Sequence, residues 1–592
     1  MRRRTHALVA LVVGIVGVSS LSAASATPVR QEGRPERTLA AMSLEDKVGQ
    51  LFVADVLGKA ADQPDPGNRE KYGVDTAAEV IERYHPGGVI YFNNAGTDNV
   101  DDPAQVASFS DGLQRAALGT GAKVPLIVSI DQEGGRVTRV AAPATEYPSS
   151  MAIGAGRSAA AARELASVNG HELRAMGINQ DFAPDADVNS NPLNPVIGSR
   201  SFSADPALAS DLVAAEVDGY QNSGAPKETV SAAAKHFPGH GDAATDSHTG
   251  LPVINRSAED WRRIDLPPFQ AAIDAGTDVI MSAHITVPSL DPSGEPATLS
   301  KPIMTGILRN ELQYDGVVVT DSLQMQGVRE LHTDAEIPVL ALEAGVDQML
   351  MPPDLGLAIN SVLDAVASGR ISEDRIDQSV LRILRLKEKR GIVSDPLVDE
   401  RALEQVGSPG NQEKVQAITD RTTTVLRNDA GSLPLPESGN VLVTGWNNPA
   451  YPGYPAEPVR ALADRLGATA LPTGAKPSAA TIDDAVAAAG QADAVVVLTN
   501  GLRADTAQVD LLRELLATGK PVVAVAVQEP YDAGIVDAPT WVATYDWRDV
   551  TMTSLAKVLQ GEIAPQGALP VDIPAGDDTG QIRYPFGTGL TW

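Results

Sequence analysis

The 592-residue sequence predicts an α/β protein: a (β/α)8 TIM-like barrel followed by an α/β sandwich domain with a mostly parallel sheet. Three observations predict it. Short apolar runs alternate with longer amphipathic stretches across the first part of the chain. Most of these runs are apolar first and end in residues that carry chemistry. A second strand-and-helix pattern then follows a polar, Pro/Gly-containing connection.

The chain opens with Arg2, Arg3 and Arg4, then an apolar stretch from Ala7 to Val18, then Ala24-Ser25-Ala26. A basic region, a short apolar core and a small-x-small site make a secretory leader, cut after Ala26. The stretch is too short to span a bilayer comfortably. "MSLEDKVGQLF" then opens a helix with Ser43 as N-cap, and Leu44, Val48, Leu51 and Phe52 keep helical spacing. The strand candidates are "LFVADV" near residue 51, 87–92, 125–131, 178–187, 230–237, 278–284, 316–322 and 346–352. Continuous apolar strands separated by helical stretches pair in parallel, because each is buried on both faces. Eight such units fit one closed barrel, whose site lies at the C-terminal strand ends. The polar residues fall there: Asp131, Asp185 with Asp187, Lys235 with His236, His284 and Asp321.

Residues 373–392 read as a long closing helix. After the connection, runs at 440–446, 492–500, 521–529 and 540–546, with a helical stretch at 507–519, suggest an open sheet of about five strands. The first strand is not followed by G-x-G-x-x-G, which gives a nucleotide role little support. The expected division is a leader over 1–26, a barrel over 36–392, a linker over 393–415 and a second domain over 416–592.

Composition narrows the function. Hydrophobic residues make up 43% of the chain, enough for a full core, and the net charge is −29. The leader carries three arginines and no acid, so its removal leaves about −32. Such a charge repels phosphate backbones and anionic lipid, which argues against nucleic-acid or membrane partners. With no cysteine, neither disulfides nor a lipid-anchored cysteine can form. The expectation is a protein secreted without a lipid anchor.

"KHFPGHGDAATDSHTGLP", Lys235 to Pro252, concentrates three of the chain's eight histidines. As a metal site, His236 and His240 would need to share a helical face, but Pro238 and Gly239 between them oppose a helix. No metal and no cofactor are expected. As a proton-transfer site the stretch is coherent. Lys235-His236 ends a strand, and a mobile glycine-rich loop follows. In that loop Asp246 can accept from a ring nitrogen of His248, fixing its tautomer and raising its basicity. Asp321 either caps the next helix or attacks an anomeric carbon. Asp131, Arg136 and Arg139 around a Gly-Gly turn, with Arg200 and Lys235, can fork hydrogen bonds to a neutral polar ligand such as a sugar.

Taken together, "IDQEGGRVTR" (130–139), "IGSRSF" (197–202), "KHFPGHGDAATDSHTGLP" (235–252) and "VVTDSLQM" (318–325) resemble glycoside hydrolase family 3, in particular its bacterial β-N-acetylglucosaminidases. "RTTTVLRNDAGSLPLP" (421–436) and "RYPFGTGLTW" (583–592) resemble the family's second domain more weakly. The resemblance implies a retaining β-N-acetylhexosaminidase with Asp321 as nucleophile, His248 as acid/base and Asp246 as its partner. It also implies that Asp131, Arg139, Arg200, Lys235 and His236 bind the sugar. Family relatives that cleave glucosides draw a glutamate acid from the second domain, but Glu514, Glu529 and Glu562 lie in no recognisable motif. The expected substrates are cell-wall fragments or chitin oligosaccharides that end in N-acetylglucosamine. The alternatives are a β-glucosidase or β-xylosidase on the same scaffold, and a non-catalytic wall-sugar-binding protein. A neutral imidazole in place of a second carboxylate would also repel an anionic acceptor less, so phosphate could compete with water in the second step.

Overall fold

A computed structural model describes residues 33–592 apart from 95, 96 and 577. The expected leader lies outside the described residues. Eight parallel strands close into a barrel in chain order. They are β1 (Phe52–Ala54), β2 (Gly88–Tyr91), β3 (Ile127–Ile130), β4 (Gln180–Asp181), β5 (Ser231–Phe237), β6 (Val279–Ser282), β7 (Val317–Ser322) and β8 (Gln348–Leu350). Pairing of Phe52 with Met349 shuts the ring. Each expected run contributes one strand.

The differences from expectation have local causes. The helix expected from "MSLEDKVGQLF", Leu44–Gln50, is capped by the Ser43 hydroxyl, which accepts from the Asp46 N–H at 3.1 Å. It stops before Phe52, because Phe52 is taken into the barrel ladder. The 178–187 run yields only the two residues of β4. Pro184 follows within that run, and proline has no N–H to continue a ladder, so the remaining residues, including Asp185 and Asp187, become part of the barrel mouth. β5 is buried throughout, and its register against β6 shifts between Ala234 and Phe237. Such an irregularity re-aims side chains, and Lys235 and His236 lie within it.

The closing helix, Glu373–Lys389, is capped by Ser372. A further helix, Pro409–Thr419, crosses the 415/416 limit set from the sequence. Among the described residues the main sheet of the second domain has six strands: β9 (Thr424–Asn428), β10 (Val441–Gly445), β11 (Thr469–Pro472), β12 (Ala494–Thr499), β13 (Val522–Ala526) and β14 (Thr540–Ala543). Their order is β9-β14-β13-β12-β10-β11, and only β9 runs antiparallel to its neighbour. A separate two-stranded sheet pairs Ile573–Ala575 with Asp578–Tyr584. Two apolar clusters, one on each face, make the sandwich. β12 is buried along its whole length, and each of its buried aliphatic side chains contributes ~1.5–3 kcal/mol relative to exposure.

The two domains interlock at the barrel mouth. Met151, Ala152 and Ala155 of the barrel join one apolar cluster of the second domain. The Ser149 N–H donates to Asp546 at 2.9 Å, Arg548 donates to the Gly135 carbonyl at 2.7 Å, and the Asn189 amide donates to Tyr531 at 2.7 Å. The second domain therefore grips the loops after β3 and β4 that carry site residues. Among the described residues no helix is long and apolar enough to cross a membrane.

Candidate active site

A cavity of about 470 Å³ opens at the C-terminal ends of the barrel strands. Asp131, Arg139, Arg200, Lys235, His236, Asp246, His248 and Asp321 all line it. The catalytic and sugar-binding residues that the resemblance names are thus brought to one cavity, whereas the strand-end residues Asp185, Asp187 and His284 do not line it. β3 delivers Asp131, β5 delivers Lys235 and His236, and β7 delivers Asp321.

On one wall, acids and bases alternate. Lys235 Nζ lies 2.7 Å from Asp131 Oδ1 and 2.6 Å from Glu133 Oε1. Arg200 donates to Glu133 through Nε and Nη2, both at 2.8 Å. Burial opposes the charge on Glu133, but Arg200 and Lys235 outweigh it and hold that carboxyl far below its usual range. Burial likewise opposes charge on Lys235 and Arg200, and their carboxylate partners outweigh it, so both stay protonated. The Arg139 guanidinium stands 3.8 Å from Asp131 Oδ2 and packs over the Phe92 ring. Charged groups fixed against one another in this way need little reorganisation when a neutral polyol arrives.

His236 continues this wall. Its Nδ1 is 2.7 Å from Asp187 Oδ2, and Arg200 Nη2 is 3.3 Å from its Nε2. Arginine can only donate, so Nε2 accepts and Nδ1 carries the proton. Burial, then the Arg200 charge, push this ring down to about 4, which agrees with that neutral tautomer. Behind it, burial and the Asp187 carboxylate push Asp185 up to about 8. Asp187 is also raised by burial, but it accepts from the His236 ring and from the His240 N–H at 2.6 Å. Among the described residues Asp185 Oδ2 makes no hydrogen bond, which agrees with the upward push on its carboxyl.

Asp185, Asp187 and His236 are close enough together to be considered as metal ligands. Their donors are already committed, however: Asp187 to N–H groups and His236 Nδ1 to Asp187. Arg200, 3.8 Å from Asp185, already supplies positive charge. The set fits hydrogen bonding better than cation binding.

At the end of β7, Asp321 Oδ1 accepts the Ser322 N–H at 2.7 Å. Burial raises this carboxyl, but the imidazoles of His236, His284 and His248 and the Ser322 N–H together leave it below the ordinary range. It is ionised at neutral pH. His284 does not line the cavity. Its Nε2 lies 3.0 Å from the Ser322 carbonyl and its Nδ1 2.9 Å from Thr298, so it braces the backbone beside Asp321.

The loop after β5 brings the last pair over. His248 Nδ1 is 2.7 Å from Asp246 Oδ1, and the His248 N–H donates to the same oxygen at 2.8 Å. Asp246 is partly buried, which works against its charge, but these two hydrogen bonds prevail and hold it below the usual carboxylate range. Within the loop, His240 Nε2 lies 2.9 Å from Ser247 Oγ. The Gly327 N–H, donating to the Ser247 carbonyl at 3.0 Å, ties the loop to the turn after β7. A Cβ on Gly327 would lie within about 3 Å of the Ser247, Gly250 and His284 carbonyls, so only glycine lets the loop dock this closely. His248 remains more than half exposed at the rim.

Sequence reasoning missed Glu133, Asp187 as the partner of the His236 ring, and the bracing role of His284. Glu133 sits two residues after Asp131 in "IDQEGG", on the same side of a strand-like register, and that spacing was the available signal.

A closed (β/α)8 barrel whose polar cavity holds an ionised carboxylate and a carboxylate-backed imidazole has the arrangement of an acid/base enzyme. Comparison with known proteins gives the family. The model of the glycosyl hydrolase family 3 N-terminal domain matches residues 43–386, and that of the family's C-terminal domain matches residues 423–592. The chain belongs to glycosyl hydrolase family 3 and is a glycoside hydrolase. It is 38% identical over 393 residues to beta-hexosaminidase A of Pseudoalteromonas piscicida, a match covering 62% of this chain and 63% of that protein's length. It is 28% identical over 569 residues to a beta-N-acetylglucosaminidase/beta-glucosidase of Cellulomonas fimi, covering 90% of this chain and 94% of that one. Among solved structures, a family 3 beta-N-acetylglucosaminidase from Paenibacillus sp. str. FPU-7 superposes with a TM-score of 0.82 at 36% identity, over 90% of this chain and 99% of that one.

Proposed function

We propose that this protein is a retaining exo-β-N-acetylglucosaminidase, acting outside the cell on cell-wall fragments or chitin oligosaccharides that end in N-acetylglucosamine. The observation that carries the reading is that Asp321 and the Asp246–His248 pair line one cavity, together with a wall of fixed charges. Asp321 attacks C1 of the terminal sugar, forming a glycosyl ester. His248, oriented by Asp246 on Nδ1, turns Nε2 to the departing oxygen and gives it a proton. The neutral ring then takes a proton from the incoming water, which attacks C1, releases Asp321 and restores the β-configuration. Asp131, Arg139, Arg200, Lys235 and His236 hold the hydroxyl and acetamido groups. Lys235 and Arg200 donate to the sugar, and His236, with Nδ1–H committed to Asp187 and Nε2 accepting from Arg200, lines the pocket beside them and fixes the Arg200 guanidinium.

The names of two of the three similar proteins support N-acetylglucosamine as the sugar, and the third is named a beta-hexosaminidase. The Cellulomonas relative's double name favours a second reading, cleavage of glucosides at the same site. The test is hydrolysis of a chromogenic N-acetylglucosaminide against the matching glucoside, by wild type and Asp321→Ala. Faster turnover of the N-acetylglucosaminide, abolished in the variant, is expected. Equal activity in the variant removes the nucleophile assignment, and faster glucoside turnover selects the second reading. No hydrolysis by either protein favours a sugar-binding role.

A further inference from the structure

We infer that the second domain sets the sugar-facing arginine of the barrel through Glu529, which acts as a positioning residue for Arg200. The inference rests on the reading of Arg200 as a sugar ligand. Glu529 lies just beyond β13, at the C-terminal edge of the second sheet. Its Oε1 accepts the Ser199 N–H at 3.1 Å. Ser199 is the middle residue of the 3-10 turn Gly198–Arg200. A Cβ on Gly198 would stand 2.2 Å from the same Oε1, and Gly198 has φ +46°, so the carboxylate occupies the space a side chain would need. The turn is therefore built around a group from the other domain.

Arg200 is then fixed from two directions. Glu133 grips its guanidinium, and Glu529 holds the backbone one residue before it. Arg136, which lines the cavity, completes the clamp: it donates to the Val196 carbonyl, and its Nη1 stands 3.9 Å from Glu529 Oε1. The segment 196–200 is held between a barrel cation and a second-domain anion. Among the described residues Glu529 Oε2 is buried without a hydrogen-bond partner. Leaving a buried acceptor unpaired costs stability, so the carboxylate is a poor choice if its purpose were stability alone. As a fixed acceptor for the Ser199 N–H it has a reason to be there. Because Arg200 Nη2 also lies 3.3 Å from His236 Nε2, a small displacement of the turn disturbs two sugar-facing groups at once.

The test uses the full chain and the N-acetylglucosaminide assay, with Glu529→Ala, Glu529→Gln, Arg200→Ala and the double variant Glu529→Ala/Arg200→Ala. Loss of binding shared by ground and transition states raises KM and spares kcat, so Glu529→Ala is expected to raise KM about tenfold with kcat within about threefold. Glu529→Gln keeps an oxygen for the Ser199 N–H and should stay within about twofold of wild type in KM. The double variant should bind no worse than Arg200→Ala alone, since both changes act through one group. A lower melting temperature for Glu529→Ala with unchanged KM, or effects that multiply in the double variant, overturns the inference. If Glu529→Ala does not fold, Glu529→Asp replaces it: withdrawal of the carboxylate by one methylene should raise KM where Gln does not, and equal KM values for the two overturn the proposal. If Arg200→Ala leaves KM unchanged, the sugar-binding role of Arg200 fails, which is distinct from failure of the Glu529 link.

Discussion

Glu133→Gln tests the electrostatic frame of the site. Wild-type Glu133 carries one charge against two buried cations, Lys235 at 2.6 Å and Arg200 at 2.8 Å. In the variant Lys235 keeps Asp131 at 2.7 Å. Arg200 is left with Asp185, 3.8 Å away and pushed up to about 8, hence protonated at neutral pH. Arg200 then becomes a buried cation without an ionised partner. Breaking a buried pair from one side costs ~3–5 kcal/mol. The amide oxygen of Gln can still accept one hydrogen bond, and Asp185 ionises more readily once Glu133 is neutral. The expected loss is therefore about 3 kcal/mol, the lower end of that range. Urea unfolding at pH 7 measures it, and KM for the N-acetylglucosaminide should rise at least about tenfold as Arg200 and Lys235 lose their register. The pH dependence has a definite sign. The folded-state value of Glu133 is depressed, so its contribution is complete above the ordinary carboxylate range and is lost as pH falls through the depressed value. The gap between the proteins should thus be widest near about pH 6, narrow toward about pH 8 as Asp185 ionises earlier in the variant, and close at strongly acid pH. A variant within about 0.5 kcal/mol of wild type and with unchanged KM would refute the reasoning.

Three further outcomes are expected. Asp246→Asn removes the carboxylate behind the His248 ring and should lower kcat/KM at least about tenfold for a poor leaving group, with a smaller loss for an activated aryl glycoside that needs little protonation; equal losses for both would count against the acid role. Lys387, fully buried, has Gln50 Oε1 at 2.7 Å as its acceptor, and burial lowers it to about 7. Its folded value lies below its unfolded one, so wild-type stability should rise between about pH 7 and 10, and Lys387→Met should flatten that rise and gain on the order of 1 kcal/mol at pH 6; parallel wild-type and variant curves would contradict this. Inorganic phosphate should divert part of the glycosyl-enzyme to a sugar phosphate, seen by phosphorus NMR, because the imidazole repels an anionic acceptor less than a carboxylate would; an unchanged product ratio would remove the idea.

The barrel was readable because parallel strands buried on both faces are mostly apolar, so the runs from "LFVADV" to "VDQMLMP" mark strands and the polar residues that follow mark the mouth; β4, Gln180–Asp181, is the exception and was legible only from its place in the alternation. Where that signal weakens, the reading weakens. Phe52 fits a helical spacing as well as a strand start, and only its pairing with Met349 decides. The edge strand β11 is largely exposed and has little apolar content to betray it. β9 has two apolar residues, Val425 and Leu426, between Thr424 and Arg427, so its apolar run is thin. At the site, Asp246 and His248 were legible because their pairing is local, two residues apart. The contacts of Glu133 with Arg200, 67 residues on, and of Glu529 with Ser199, 330 residues back, depend on tertiary packing that no local pattern encodes.

The central claim is that the Asp321 carboxylate bonds to the anomeric carbon, with His248 serving the opposite oxygen. Quenching the enzyme during turnover of an activated N-acetylglucosaminide, in wild type and in a His248→Ala variant whose second step is slowed, and mapping the adduct by peptide mass spectrometry tests it directly. A single N-acetylhexosaminyl mass on the peptide containing Asp321, accumulating in the variant, is the predicted result. An adduct on any other residue, or release of the α-anomer as first product, would contradict it.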